Sequence, residues 1–233
     1  MDRRSLCIVL RASNYRENDR MLTLFSRDYG KIDALARGCR KPTSSLLSSG
    51  DVLCCSDMSF NFKEGRYYVV GAEPRTNFYD IRKNMKSLMT ALLLIEITER
   101  NIVHEEPNRP LFALLSGCLY ALANGDDHRK VLSFFTFKLF ESQGERPPLT
   151  ECVICGKPSV NRINIKAGGA VCADCEGQEV EAGYIDNIAK IYSTKSKDIL
   201  TTDLNVDDGF YGLAIDWLKY HESSDLKSLA LLG

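Results

Sequence analysis

The stretch MLTLFSRDYGKIDALA, residues 21–36, decides the fold. MLTLFS (21–26) and KIDALA (31–36) are short runs rich in apolar residues. The residues between them end in Gly30, so the pair reads as two strands joined by a turn. Runs of the same kind lie on either side: SLCIVLRAS (5–13) before, DVLCCSDMSF (51–60) and RYYVVGAE (66–73) after. Gly38, Gly50, Gly65 and Gly71 punctuate them. Five short strands in about 80 residues suit a small closed barrel better than an open sheet. The Ser-rich stretch KPTSSLLSSG (41–50) is expected to be a mobile loop between the third and fourth strands.

Beyond Pro74 the period changes from two to that of a helix. NMKSLMTALLLIEITERNIV (84–103) gathers Met85, Leu88, Leu92 and Ile95 on one broad face. NRPLFALLSGCLYALANG (108–125) opens on Asn108 and stops at Gly125. DHRKVLSFFTFKLFESQG (127–144) has an aspartate cap and ends at Gly144, with Pro147 and Pro148 beyond. These three helices are expected to pack as a small bundle, with weaker helical segments at 186–192, 208–221 and 225–232. The reading divides the chain into a barrel over 1–80 and a helical part over 81–233, with a cysteine module at 150–177.

Composition is that of an ordinary globular chain: 44% apolar, 26% charged, formal net charge −1. The charge is uneven along the 233 residues. Residues 1–41 hold ten Arg and Lys against five Asp and Glu, a net of +5. Residues 176–233 hold five Lys against eleven Asp and Glu, a net of −6. The apolar run Leu6–Leu10 after the basic start is too short for a signal-peptide core. No apolar run approaches the ~20 residues of a spanning helix. Nine cysteines in such a chain point to a reducing compartment, hence a cytoplasmic address.

Most catalytic signatures are missing: GxxxxGK[ST], GxGxxG, HExxH and GxSxG do not occur. His104, His128 and His221 read as surface or capping residues rather than general bases. The pairs Glu105-Glu106, Asp126-Asp127 and Asp207-Asp208 read as helix caps rather than metal-binding carboxylates.

The sharpest motif is Cys152-x2-Cys155-x16-Cys172-x2-Cys175. Its spacing is that of a four-cysteine zinc site, with redox or disulfide chemistry as the competing reading. Two residues between thiolates let both sulfurs face one cation, and Gly156 frees the turn after the first pair. Four sulfur ligands leave no position for water, so such a zinc ion would be structural and a zinc enzyme is disfavoured. A structural zinc contributes on the order of 10–16 kcal/mol at neutral pH. Cys7, Cys39, Cys54, Cys55 and Cys118 read as buried, inert thiols.

The second signal is basic. RASNYRENDRMLTLFSRDYGKIDALARGCRKP (11–42) offers Arg11, Arg16, Arg20, Arg27, Lys31, Arg37, Arg40 and Lys41, with Tyr15, Phe25 and Tyr29 among them. Small five-stranded barrels bind single strands through a cationic groove and aromatic faces. A solvated charged face is the alternative, and with it a zinc-stabilised adaptor that contacts proteins without binding DNA.

These residues resemble a known family. YRENDRMLTLFSRDYGKIDALARGCRKP (15–42), a helical middle, and FKLFESQGERPPLTECVICGKP (137–158) are similar to the bacterial RecO recombination-repair proteins. The resemblance implies an α+β multi-domain fold. An N-terminal five-stranded oligonucleotide-binding (OB) barrel would be followed by an α-helical domain carrying the zinc module. It implies a non-enzymatic mediator that binds single- and double-stranded DNA, anneals complementary strands and, with RecR, helps load RecA onto DNA coated by single-strand-binding protein. The family's basic segment then corresponds to Arg37, Arg40 and Lys41, and its ligands to one structural Zn2+ are Cys152, Cys155, Cys172 and Cys175. The tail of single-strand-binding protein is expected on the helical part, for which Phe134, Phe137 and Lys138 are candidates. Arg162 and Lys166 in the zinc loop are further candidates for DNA contact. The implied location is the bacterial cytoplasm, at the nucleoid when bound to DNA.

Overall fold

The computed structural model describes residues 3–181, 183–222 and 226–231. Five strands open the chain: β1 (Arg3–Tyr15), β2 (Asp19–Ser26), β3 (Gly30–Ala36), β4 (Cys55–Lys63) and β5 (Arg66–Thr76). They close into a barrel in the order β1-β2-β3-β5-β4, with β1 and β4 pairing to shut it. All pairings are antiparallel except β3 with β5, where Ala34 faces Tyr67 and Leu35 faces Tyr68. This is the Greek-key arrangement of an OB barrel.

β1 shows why its sequence is apolar without alternation. Cys7 and Val9 point into the barrel, while Ile8 and Leu10 join the core of the helical layer. A strand covered on both faces reads as a continuous apolar run, here CIVL. Phe25 on β2 does the same, meeting Phe112 edge-on at 5.3 Å between ring centroids. Barrel and helices therefore share a packed seam along one wall.

Two expectations in this region need correction. The run DVLCCSDMSF does not enter the sheet at Asp51: β4 starts at Cys55 and continues to Lys63. Leu53 takes a left-handed conformation (φ 72°) while its N–H donates to Val9 O, and no regular strand passes through such a residue. The Ser-rich segment 41–50 is a run of turns fixed to the barrel rather than a free loop. Leu46 is buried in the barrel core, Cys39 Sγ donates to Leu46 O, and Cys54 Sγ donates to Ser48 O. Gly50 lies so close to Cys39 that an added Cβ would sit 2.3 Å from its sulfur.

After a 3-10 turn at Tyr79–Lys83 come α1 (Met85–Asn101), α2 (Arg109–Ala123) and α3 (His128–Ser142). Asn84, Asn108 and Asp127 cap them, accepting from the N–H groups of Ser87, Leu111 and Arg129. Asp207 likewise caps α5 (Asp208–His221) through Phe210 N–H at 2.7 Å. The pair Glu105-Glu106 caps nothing. Glu105 N–H donates to Lys31 O, and Gly30 packs against the Glu106 backbone, so this segment is an edge contact of the barrel.

α3 is buried around its whole circumference from Val131 to Phe137 and runs through the middle of the helical part. Phe134, Phe135 and Phe137 are fully buried, and Phe137 packs against Phe210 and Trp217 at 5.8 Å each. The cysteine module forms a small antiparallel sheet from β6 (Arg162–Asn164), β7 (Gly169–Val171) and β8 (Gln178–Glu179), ordered β7-β6-β8. α4 (Tyr184–Ser193) and a 3-10 turn at Ser196–Thr201 precede α5. Of the expected helix at 225–232, only a 3-10 turn at Leu229–Leu231 is seen, and 225 and 232 lie outside the described residues. All five remaining cysteines are buried, as expected.

Candidate nucleic-acid interface and metal centre

The β1–β2 turn and the turn leaving β3 are stitched together at one end of the barrel. Gly38 N–H donates to Asp19 Oδ1 at 2.7 Å, and Arg40 N–H donates to Asn18 O at 2.9 Å. The Arg40 guanidinium adds a bond to Glu17 O at 2.9 Å. These contacts gather Arg16, Arg37, Arg40 and Lys41 on a single rim. All four are exposed, and none has an ion-pair partner among the described residues. Two of them carry aromatic neighbours: Arg37 lies 4.8 Å over the Tyr68 ring and Arg16 5.5 Å over Tyr15.

The other four basic candidates are already engaged. Arg11 pairs with Glu99 at 3.2 Å, and Lys31 Nζ donates to the Glu99 carbonyl at 3.1 Å. Arg20 pairs with Asp51 and donates to Gly50 O. Arg27 pairs with Asp28, which also binds Arg109 at 2.9 Å. Burial works against the Asp28 carboxylate, but Ser5, Arg27 and Arg109 together hold it below the usual range. These arginines and Lys31 bind the barrel to itself and to the helices.

Sequence reading found the strand at 66–73, now β5, but left its side chains out of the candidate site. Arg66 and Tyr68 follow the β4–β5 turn, whose Gly65 was the available signal, and both lie on the outer barrel face. Arg66, Arg11 and Thr23 line a groove of about 570 Å³ that crosses β1–β3 and is closed at one side by His104 and Glu105. Its floor carries Asp33, so the groove is less positive than the rim. Arg3 was also missed. Its guanidinium sits 5.4 Å from the rings of Tyr29, Phe62 and Tyr67.

The helical docking candidates are overturned. Phe134 and Phe137 have no exposed surface, and Lys138 Nζ is bound by Glu141 at 2.7 Å and Tyr192 O at 2.9 Å. The aromatic run offered as a docking candidate lies at the centre of the core. His104 is exposed and approaches Asp33 at 4.0 Å, His128 follows the cap Asp127, and His221 stacks on Trp217.

The four cysteines converge. The sulfurs of Cys152, Cys155, Cys172 and Cys175 all lie within 4.8 Å of one another, and Cys155 and Cys172 are 3.6 Å apart. Metal–sulfur bonds of about 2.3 Å in a tetrahedron put the sulfurs ~3.8 Å apart. Each pair forms a turn closed by backbone bonds, Gly156 N–H to Cys152 O at 2.8 Å and Cys175 N–H to Cys172 O at 3.2 Å. Gly156 holds φ 75°, where a side chain would strain the turn. Burial opposes thiolate formation at Cys152, yet the N–H groups of Cys172, Cys155 and Ile154 bring its thiol down to about 6. An ion pair between Lys157 and Asp174 ties the two turns together. The donor set and its geometry fit a four-sulfur metal ion.

Two family models cover most of the chain: "Recombination protein O N terminal" over residues 1–78 and "Recombination protein O C terminal" over 82–190. Proteins named DNA repair protein RecO are similar along most of their own length. The Alkaliphilus metalliredigens protein is 36% identical over 172 residues, 72% of this chain and 70% of that protein. The Caldicellulosiruptor saccharolyticus protein is 30% identical over 229 residues, 95% of this chain and 94% of that one. A third, from Exiguobacterium, is 30% identical over 203 residues, 85% of this chain and 80% of its own. Among the described residues no helix is long and apolar enough to cross a membrane. A five-stranded closed barrel, a helical part, a four-cysteine cluster and these matches agree: the chain belongs to the RecO family of DNA repair proteins.

Proposed function

We propose that this chain is a recombination mediator with no catalysis of its own. It binds single- and double-stranded DNA and anneals complementary strands. With RecR it helps load RecA onto DNA coated by single-strand-binding protein. The observation that carries this reading is the rim of Arg16, Arg37, Arg40 and Lys41, four exposed cations without carboxylate partners among the described residues, on an OB barrel in a RecO-family chain. Cations on such a barrel neutralise phosphates, and the Tyr15 and Tyr68 rings beside them offer stacking faces. Annealing follows from the same chemistry. Two phosphate backbones approach only when their repulsion is lowered, and cations held on a rigid rim lower it without covering the base edges. One zinc ion held by Cys152, Cys155, Cys172 and Cys175 would supply structural cross-linking of the module at 150–177. In this reading the barrel (1–80) is the DNA-binding domain, the remainder (81–233) is the partner-facing domain, and the protein works in the cytoplasm.

The test is an annealing assay on two complementary oligonucleotides, with and without single-strand-binding protein, using metal-loaded protein. Wild type should accelerate duplex formation, and Arg37→Ala with Arg40→Ala should abolish most of the acceleration. Equal rates with and without the protein would reject the mediator reading in favour of a protein-only adaptor.

A further inference from the structure

The metal module does more than close on itself. Between its 158–161 segment and the start of α4 lies a groove of about 620 Å³. Its floor is aliphatic, built from the half-buried Leu149, Val160, Val180 and Ile185. Its rim carries Glu181 and Asp186, both exposed. No lysine or arginine is among the described lining residues, and neither carboxylate has an ion-pair partner among them. Nor is either consumed as a cap: Gly183 precedes α4 without any side-chain hydrogen bond to the helix. Glu151 on the neighbouring bend and Glu179 on β8 are also exposed, the latter opposite Arg162 in the sheet.

We propose that this groove docks an extended segment of a partner protein in which lysine or arginine alternates with aliphatic residues. In such a segment successive side chains point to opposite sides, so aliphatic groups can enter the floor while cations meet Glu181 and Asp186. Nucleic acid is disfavoured there by like charge, as it is favoured at the barrel rim by opposite charge. One wall of the groove lies between Cys155 and Cys172, so the four-cysteine cluster holds the groove in shape. The segregation of charge along the chain, +5 over 1–41 and −6 over 176–233, then separates two kinds of partner on one molecule.

The experiment uses the full-length, zinc-loaded chain and two labelled heptapeptides, one of alternating Lys and Val, the other of alternating Glu and Val, followed by fluorescence anisotropy. The Lys/Val peptide should bind at least about tenfold tighter than the Glu/Val peptide, and more weakly as salt is raised. Glu181→Lys with Asp186→Lys should abolish that binding, and the milder Glu181→Gln with Asp186→Asn should weaken it roughly threefold or more. Glu64→Lys, on the exposed β4–β5 turn, should leave it unchanged. Oligonucleotide affinity of the Gln/Asn variant should equal that of wild type, which separates this site from the barrel rim. The proposal is overturned if both peptides bind alike, if charge reversal leaves binding intact, or if Glu64→Lys costs as much. It is also overturned if the Gln/Asn variant loses oligonucleotide affinity, which would make the groove a nucleic-acid site.

Discussion

Consider replacing Arg37 and Arg40 together by alanine. In the structure both are exposed, both belong to the rim of four cations without an ion-pair partner among the described residues, and the side-chain hydrogen bond lost is that of Arg40 to Glu17 O. On a single strand each neutralised phosphate contributes a slope of about −0.7 in log affinity against log salt. Four contacts therefore give a slope of about −2.8, a roughly 50-fold loss between about 50 and 200 mM salt. With two contacts left, the slope falls to about −1.4 and the loss over the same range to roughly sevenfold. The control is Arg11→Ala with Arg20→Ala, which removes the same formal charge from positions already neutralised by Glu99 and Asp51. That pair should leave the slope near its wild-type value. Anisotropy of a labelled oligonucleotide across a salt series measures both. If the Arg11/Arg20 variant flattens the slope as much as the Arg37/Arg40 variant, pairing state does not decide which cations meet DNA, and the reasoning fails.

Three further outcomes can be checked on the folded protein. Phe25→Ala empties a fully buried position at the seam between barrel and helices, where the ring meets Phe112, and should cost about 3–5 kcal/mol in denaturant unfolding. A loss below about 1 kcal/mol would show that the seam contributes little. Cys152→Ser, or chelation of metal, should open 150–177 to limited proteolysis first and reduce oligonucleotide affinity only as a secondary effect; early loss of affinity with an intact module would contradict the structural role. Glu96 accepts from the N–H groups of Ser228 and Lys227 at 2.8 and 3.0 Å. Burial opposes its charge, but these bonds and Arg100 outweigh burial and hold its carboxyl below the ordinary 4.5. A depressed folded-state value means that its contribution is complete above about pH 4.5 and lost as pH falls through the folded value. The protection of the 226–231 amides against hydrogen exchange, taken relative to the intrinsic rate at each pH, should therefore fall on acidification below pH 4.5, and Glu96→Gln should remove that dependence.

What the sequence revealed and what it hid have different physical origins. Helix starts were legible because a cap is a local event: Asn108, Asp127 and Asp207 each satisfy an N–H two or three residues on. The cysteine quartet was legible for the same reason, since each knuckle spans four residues. Pairing of the arginines was not, because it depends on register and on distant segments. Arg11 finds Glu99 and Arg20 finds Asp51 only after the barrel has closed and met α1. Phe134 and Phe137 were ambiguous because a helix covered on every side shows no clean stripe. The Glu105-Glu106 pair misled because carboxylates near a helix usually cap it, whereas here the backbone of that segment is used against β3.

The seam that carries Ile8, Leu10 and Phe25 into the helical core has one more consequence. A strand of DNA on this barrel could not encircle it, because helices occupy one side of the circumference. It would cross the open side and leave after a few nucleotides. A footprint that short would hold the polymer by a few phosphates and stacked bases, with the hydrogen-bonding edges of the neighbouring bases turned to solvent and free to be searched by a second strand.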